Sequence, residues 1–242
     1  MPGISVWVIA LLLCSLSVQA AEVQVKVQLY AWERPPLVRL TADGKAQGLV
    51  PELVAELFQR TQTPYRVSFL PLQRAMQQVQ REPASCVLLV ERRQERDPYF
   101  SWIGPLLISR LGLYARAGDD LQLTSLEQAR GLTILSHQGS GAGEYLSSVD
   151  LQVINSNKES LNLSMLQRGR ARLWATSATV VGALNTSAPP QEVLPFLTLM
   201  EEIACHPQFD PQLRQRLQIT LQQLYGEGWV AALYARHGLT QE

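Results

Sequence analysis

Val23, Val25, Val27 and Leu29 alternate with Glu22, Gln24, Lys26 and Gln28, a period of two that predicts a half-buried strand at the start of the fold. After Gly48 the spacing changes: Val50, Leu53, Val54, Leu57 and Phe58 fall on one face of a helix, with Pro51 in its first turn. Between them Tyr30 to Pro36 reads as a loop, because consecutive prolines end a ladder, and Ala42-Asp43-Gly44 reads as a turn. The alternation continues with a strand over Tyr65 to Leu70, a helix over Leu72 to Gln80 and a strand over Ser85 to Val90. Leu106 to Arg116 is apolar and extended. A second series follows: a short helix at Leu126 to Ala129, a strand at Leu132 to Ser136, a loop at Gly139 to Gly143 and a helix opening at Glu144. A strand at Leu151 to Ile154, a helix at Ser160 to Gln167 and a strand at Leu173 to Thr176 complete it. Asn185 to Pro195 breaks the pattern and fits a crossing back to the first series. Asp210-Pro211 then reads as an N-cap and first helical residue, followed by Leu213, Leu217, Leu221 and Leu224 along one face. Strands alternating with helices predict parallel, helix-covered sheets, and two such series predict two α/β lobes.

Composition narrows the class without naming a function. Hydrophobic residues make up 46% of 242, enough for one large core or two small ones. Lys+Arg and Asp+Glu balance at 21 each, so no global field recruits nucleic acid or an anionic membrane, and any ion site must be local. Residues 1–20 carry no charged side chain, hold an apolar run from Val6 to Leu13 and end Val18-Gln19-Ala20. They read as an export signal without a basic start, too short for a membrane span, and Cys14 lacks the preceding small residues of a lipidation site. Removal of the signal leaves Cys86 and Cys205 in a compartment that permits disulfides, where the alternatives are a bonded pair and two buried thiols.

The densest chemistry lies where the strand ending at Val90 runs into Glu91-Arg92-Arg93-Gln94-Glu95-Arg96. Guanidinium forks held at a strand end make an anion-binding floor; the competing reading is a solvated cluster with Glu91, Glu95 and Asp97 as counter-ions. Trp32 and Tyr30 follow the first strand, where an aromatic can stack on a ligand or pack in the core. Arg74 near a helix start can face a cleft or pair at the surface. Gly139-Ser140-Gly141-Ala142-Gly143 lacks the spacing of a nucleotide fingerprint and the lysine of a phosphate loop. His137, His206 and His237 are isolated along the chain, which gives a metal site no support, and no Gly-x-Ser-x-Gly elbow supplies a hydrolase nucleophile.

Pro35-Pro36, Gly44, Gly48, Leu70-Pro71-Leu72-Gln73-Arg74-Ala75, the arginine segment with Phe100-Ser101-Trp102-Ile103-Gly104-Pro105, Gly139-Ser140, Met165 to Arg170 and Gly226-Glu227-Gly228-Trp229 together resemble the family 3 extracellular solute-binding proteins. These are periplasmic receptors of polar amino-acid ABC transporters. The resemblance spans residues 23–238 and is nearest to a divergent branch. It implies a type II periplasmic-binding-protein fold, with lobe 1 formed by residues 21–109 and 196–242, lobe 2 by residues 110–195, and a ligand enclosed between them. It implies a carboxylate grip by Arg96 with Gly139 and Ser140, and it places Arg93 where the family has a threonine. Ser177 falls where the family's amino-acid receptors hold an ammonium group with an aspartate, and Arg172 to Ala178 contains no acid. Either the ligand has no α-amino group or Glu91 supplies the charge. The resemblance also sets Ile203-Ala204-Cys205 beside the strand of Cys86, which implies a Cys86–Cys205 bond with α-carbons about 5.5–6 Å apart. The function expected on these grounds is capture of a small anionic or amino-acid-like solute by a periplasmic monomer, without cofactor, metal, nucleic acid or lasting membrane anchor, for an ABC transporter permease. The alternatives are a dehydratase-like enzyme with Glu91 as its acid or base, and a sensing domain that reports to a partner.

Overall fold

The computed structural model of the chain describes residues 27–239. The expected export signal, Cys14 and the first residues of the alternating segment fall outside that range. Within it the elements run β1 (Val27–Ala31), β2 (Arg39–Leu40), β3 (Ala46–Gln47), α1 (Leu49–Arg60), β4 (Tyr65–Phe69), α2 (Leu72–Val79) and β5 (Ser85–Glu91). After a 3-10 turn at Gln94–Tyr99 come β6 (Ser101–Ala115), a second 3-10 turn at Leu126–Ala129, β7 (Ile134–His137), α3 (Gly141–Ser148) and β8 (Val153–Ser156). The chain continues through α4 (Glu159–Gln167), β9 (Leu173–Ser177), α5 (Ala178–Gly182), β10 (Gln191–Cys205), α6 (Pro211–Gly226) and α7 (Trp229–Arg236).

Eight strands form one sheet in the order β4-β1-β5-β10-β6-β9-β7-β8. Its two ends are parallel, β4-β1-β5 and β9-β7-β8, and its middle is an antiparallel ribbon in which β6 and β10 pair from Ser101 opposite Cys205 to Ala115 opposite Gln191. Each half of the ribbon therefore belongs to a different parallel sheet. The helices complete the separation. One core takes in β1, α1, α2, β5, α6 and α7, with β6 as far as Leu107 and β10 from Ile203 onward. Two further clusters run from Leu111 to Val193, with Phe196, Leu197 and Leu199 packed against them. Val50, Leu53, Val54, Leu57 and Phe58 of α1 belong to the first core, whereas Leu166 of α4 belongs to the second half. This is the two-lobed α/β arrangement expected from the alternating pattern.

Cys86 and Cys205 are bonded across β5 and β10, where they stand directly opposite each other. Their α-carbons are 3.9 Å apart, closer than expected, because the pair is in register on adjacent antiparallel strands. Asp210 caps α6, its Oδ1 accepting from the amides of Gln212 (2.9 Å) and Leu213 (3.3 Å). The segment Gly139 to Gly143, expected as a loop, already turns into α3 at Gly141. Its glycines serve close packing: a Cβ on Gly141 would lie 2.9 Å from Leu199 Cδ1, and one on Gly143 would lie 2.9 Å from Asn155 Oδ1. Only Gly139 needs the left-handed backbone, at φ +81°.

Candidate functional site

The C-terminal ends of the parallel strands from both halves converge on a closed cleft. Trp32 lies just beyond β1, and its indole Nε1–H donates to Leu88 O at 3.1 Å. Its ring stacks on the imidazole of His137, at the end of β7, with centroids 4.8 Å apart. Two residues on, Arg34 is turned inward by paired backbone hydrogen bonds with Val38. It is 4% exposed. Its Nη1 donates to Glu201 of β10, and its Nη2 donates to Ser177 Oγ at 3.3 Å. Glu201 also accepts from Ser109 of β6, so one carboxylate ties the loop after β1 to both strands of the ribbon.

Glu91, at the end of β5, accepts the Gly141 amide at the start of α3. Ser140 caps that helix, accepting from the Gly143 amide at 3.1 Å, and its hydroxyl lies 3.0 Å from Ser136 Oγ. Ser177 caps α5 in the same way. Glu159, the first residue of α4, accepts from Thr176 Oγ1 at 2.7 Å, and its other oxygen stands 3.6 Å from His137 Nδ1.

These side chains wall an inner cavity closed down to about 10 Å³, lined by Trp32, Arg34, Glu91, Ser140, Glu159 and Ser177 among others. An outer cavity of about 260 Å³ shares Trp32, His137 and Glu159 with it and adds Leu40, Phe69, Leu70 and Leu72, with Lys158 at its edge. The inner wall is thus mostly polar, and the outer one sets Leu40, Phe69, Leu70 and Leu72 against Glu33, Asn157, Lys158 and Ser160. Buried polar groups gathered from separate elements are costly unless they pair with one another or with a ligand.

Charge is unevenly settled in the wall. Burial lowers the affinity of Arg34 for its proton, but Glu201, Glu91 and Glu159 together raise it, so Arg34 is a cation. Burial raises the Glu159 carboxyl above its ordinary range, opposed by Thr176 and Arg34. His137 is pushed down to about 4 by burial, with Arg34 adding to the shift; it is neutral at pH 7.

Of the residues expected to form the site, Trp32, Glu91, Ser140 and Ser177 meet at the inner cavity. Arg96 stands behind them. Its Nη1 donates to Glu91 O at 3.0 Å and its Nη2 to Gly139 O at 2.9 Å, and it pairs with Glu144 of α3 at 2.7 Å. Arg93 donates to Gly141 O at 3.1 Å. Tyr30 is part of the first core and donates to Glu82 through its hydroxyl, the core-packing alternative of the two open to it in the sequence. Arg74 is exposed on α2, away from both cavities. Sequence reasoning missed Arg34, Glu159 and Glu201 and set His137 aside. Its statement that no acid lies near position 177 holds along the chain and fails in space, because Thr176 binds Glu159 from another element. Among the described residues no group of His, Cys, Asp or Glu is arranged to hold a metal ion.

No protein-family model matches the chain, and no match is found among curated proteins. Solved structures are similar throughout. A histidine kinase sensor domain with similarity to periplasmic binding proteins is 16% identical with a TM-score of 0.79, over 90% of this chain and 98% of that one. An amino acid ABC transporter substrate-binding protein from Streptococcus pneumoniae, bound to L-arginine, is 16% identical with a TM-score of 0.76, over 88% and 94%. An ancestral amino-acid-binding protein described as a precursor of cyclohexadienyl dehydratase is 13% identical with a TM-score of 0.77, over 87% and 93%. With the separate cores and the ribbon between them, these likenesses establish that the chain has the two-lobed α/β fold of the periplasmic binding proteins.

Proposed function

We propose that the chain is an exported solute-binding protein that closes its lobes around a small amino-acid-like solute. The observation that carries this reading is the cleft itself: buried polar side chains from both halves face one cavity, and a second cavity of about 260 Å³, with an apolar side of Leu40, Phe69, Leu70 and Leu72, shares part of its wall. Within the described residues, the proposed lobes are residues 27–109 with 200–239 and residues 110–199, the return boundary lying beyond the expected 195/196. The packing of Phe196, Leu197 and Leu199 on the second core favours a hinge on the returning strand nearer Met200 than Pro195. Arg96, Gly139 and Ser140 are proposed to receive a carboxylate of the solute. Since Arg96 already holds Glu144, that carboxylate exchanges with Glu144 rather than filling an open site.

The likeness to a transporter's substrate-binding protein supports a periplasmic monomer that delivers to an ABC permease. The likeness to a kinase sensor domain, at the higher TM-score, supports the second reading, a sensing domain that reports to a partner. Catalysis is the weaker reading, because the Glu91 carboxylate that would act as acid or base is engaged by the Gly141 amide. The test is a thermal-shift screen of amino acids and small carboxylates on the chain lacking residues 1–20, followed by small-angle scattering with any compound that stabilises it. A true cleft ligand at 100 times its Kd adds about 2.7 kcal/mol and shrinks the radius of gyration. Stabilisers that leave the radius unchanged, or a screen without any stabiliser, overturn the proposal.

A further inference from the structure

We propose that Glu159 and His137 form the subsite for a primary ammonium group of the solute, in place of an acid at position 177. This rests on the reading that the cleft binds a solute, and it names the chemistry of one end of that solute.

Each of the other buried or bridging carboxylates around the cleft has a strong donor. Glu201 holds Arg34, Glu144 holds Arg96, and Glu91 holds the Gly141 amide. Glu159 is 8% exposed; one oxygen accepts from the Thr176 hydroxyl at 2.7 Å, and the Trp174 indole and the Arg34 charge also act on the carboxyl. Its second oxygen faces His137 Nδ1 across 3.6 Å, beyond hydrogen-bond range. His137 is 5% exposed and its Nδ1 has no hydrogen-bond partner. Two buried groups that can accept a hydrogen bond, a carboxyl oxygen and an imidazole nitrogen, therefore stand side by side at a separation that a single ammonium nitrogen can span with two of its N–H groups.

The surroundings fix what else the solute must be. The Trp32 stack holds the imidazole plane beside Glu159. Both acceptors border the outer cavity, where Leu40, Phe69 and Leu70 offer an apolar wall. The solute thus carries an ammonium with at least two N–H donors, attached to a hydrocarbon body of a few carbons. Position 177 is closed to the same group, because Ser177 Oγ already accepts from the Arg34 guanidinium and the Val180 amide.

The test is calorimetry of the chain lacking residues 1–20 with three probes of one shape: isopentylamine, L-leucine and 4-methylpentanoate. The amine and the amino acid are expected to bind and the acid lacking nitrogen is not. Glu159→Gln is expected to weaken isopentylamine by about 10- to 150-fold, the range for a charge-assisted hydrogen bond. In the unsubstituted protein, isopentylamine is expected to move the 15N resonance of His137 Nδ1, a readout independent of whether the variant folds. Equal or better binding of 4-methylpentanoate, an unchanged amine affinity in Glu159→Gln, or a fixed His137 resonance under saturating amine overturns the subsite while leaving solute binding intact. Failure of all three probes also overturns the subsite, whereas solute binding itself falls only if the wider screen finds no stabiliser.

Discussion

At the scale of single residues, burial rather than proximity in sequence decides which charges matter. Arg34 and Glu201 are 167 positions apart and both almost fully buried, so neither has water to fall back on. Arg34→Met is expected to strand Glu201 and to cost about 3–5 kcal/mol, read as a lower midpoint in urea. The double change Arg34→Met with Glu201→Leu is expected to recover much of that loss, because no uncompensated charge remains. His137 titrates in the opposite sense to a paired histidine. Its folded pKa of about 4 lies below the ordinary 6.5, so between those values the unfolded chain binds the extra proton. Its share of stability is present above pH 6.5, declines as the pH falls, and is lost by about pH 4, on the order of 3 kcal/mol. Glu159, raised by burial, works against this by becoming easier to tolerate as it protonates. The measurement is therefore a difference: His137→Gln is expected to flatten the loss of stability between pH 6.5 and 4 relative to the unsubstituted protein. These residues were hard to find in the sequence because nothing local marks them. Arg34 sits among loop residues, Glu159 looks like an ordinary acid in a first helical turn, and Glu201-Glu202 interrupts an apolar strand only by two positions.

Elements were more legible than site residues, because periodicity is a local property. The apolar face of α1 and the strands β4 and β5 lie where the pattern places them. The N-cap of α6 could be read from Asp210-Pro211 alone, since a short acceptor followed by a residue without an N–H suits that position and few others. Asp210→Ala is expected to lower stability by about 0.5–2 kcal/mol, measured by thermal or urea unfolding, without altering solute binding. The chain pattern misled where close packing imitates a loop. Gly141 and Gly143 read as part of a loop, yet they let α3 approach Leu199 and Asn155. It also passed over α5, whose five residues are too few to show a helical period. Cys86 and Cys205 show the mixed case. Their number was informative, while their pairing needed the antiparallel register of β5 and β10. The bond closes a loop with a sequence separation of 119, so replacing both cysteines by serine is expected to cost about 2–5 kcal/mol and to make the unfolding midpoint insensitive to reductant.

For the whole molecule, the cross-lobe contacts decide how far the protein closes before any solute arrives. Arg96 and Arg93 grip the start of α3 through Gly139, Gly141 and Glu144, Arg34 reaches Ser177, and Gln138 donates to Gln73 at 2.7 Å. All of these join residues of the first core's half to residues of the second. Contacts present only in the closed form shift the open-closed balance toward closure, and a solute can add only its own preference for that form. Glu144 is about half exposed, so its pair with Arg96 is screened and worth roughly 0.2–1 kcal/mol. Glu144→Gln is therefore expected to change the closed population by about 1.4- to 5-fold, a small swelling of the ligand-free protein in small-angle scattering. Arg96→Ala is expected to swell it further, because it also removes two buried donors to backbone carbonyls. If carboxylate exchange at Arg96 is correct, Glu144→Gln should tighten the binding of a carboxylate-bearing solute even as it loosens the empty protein, since the competitor is gone. If Arg96 is purely a latch, the same change should weaken binding in step with the swelling. The sign of that single affinity change separates the two roles.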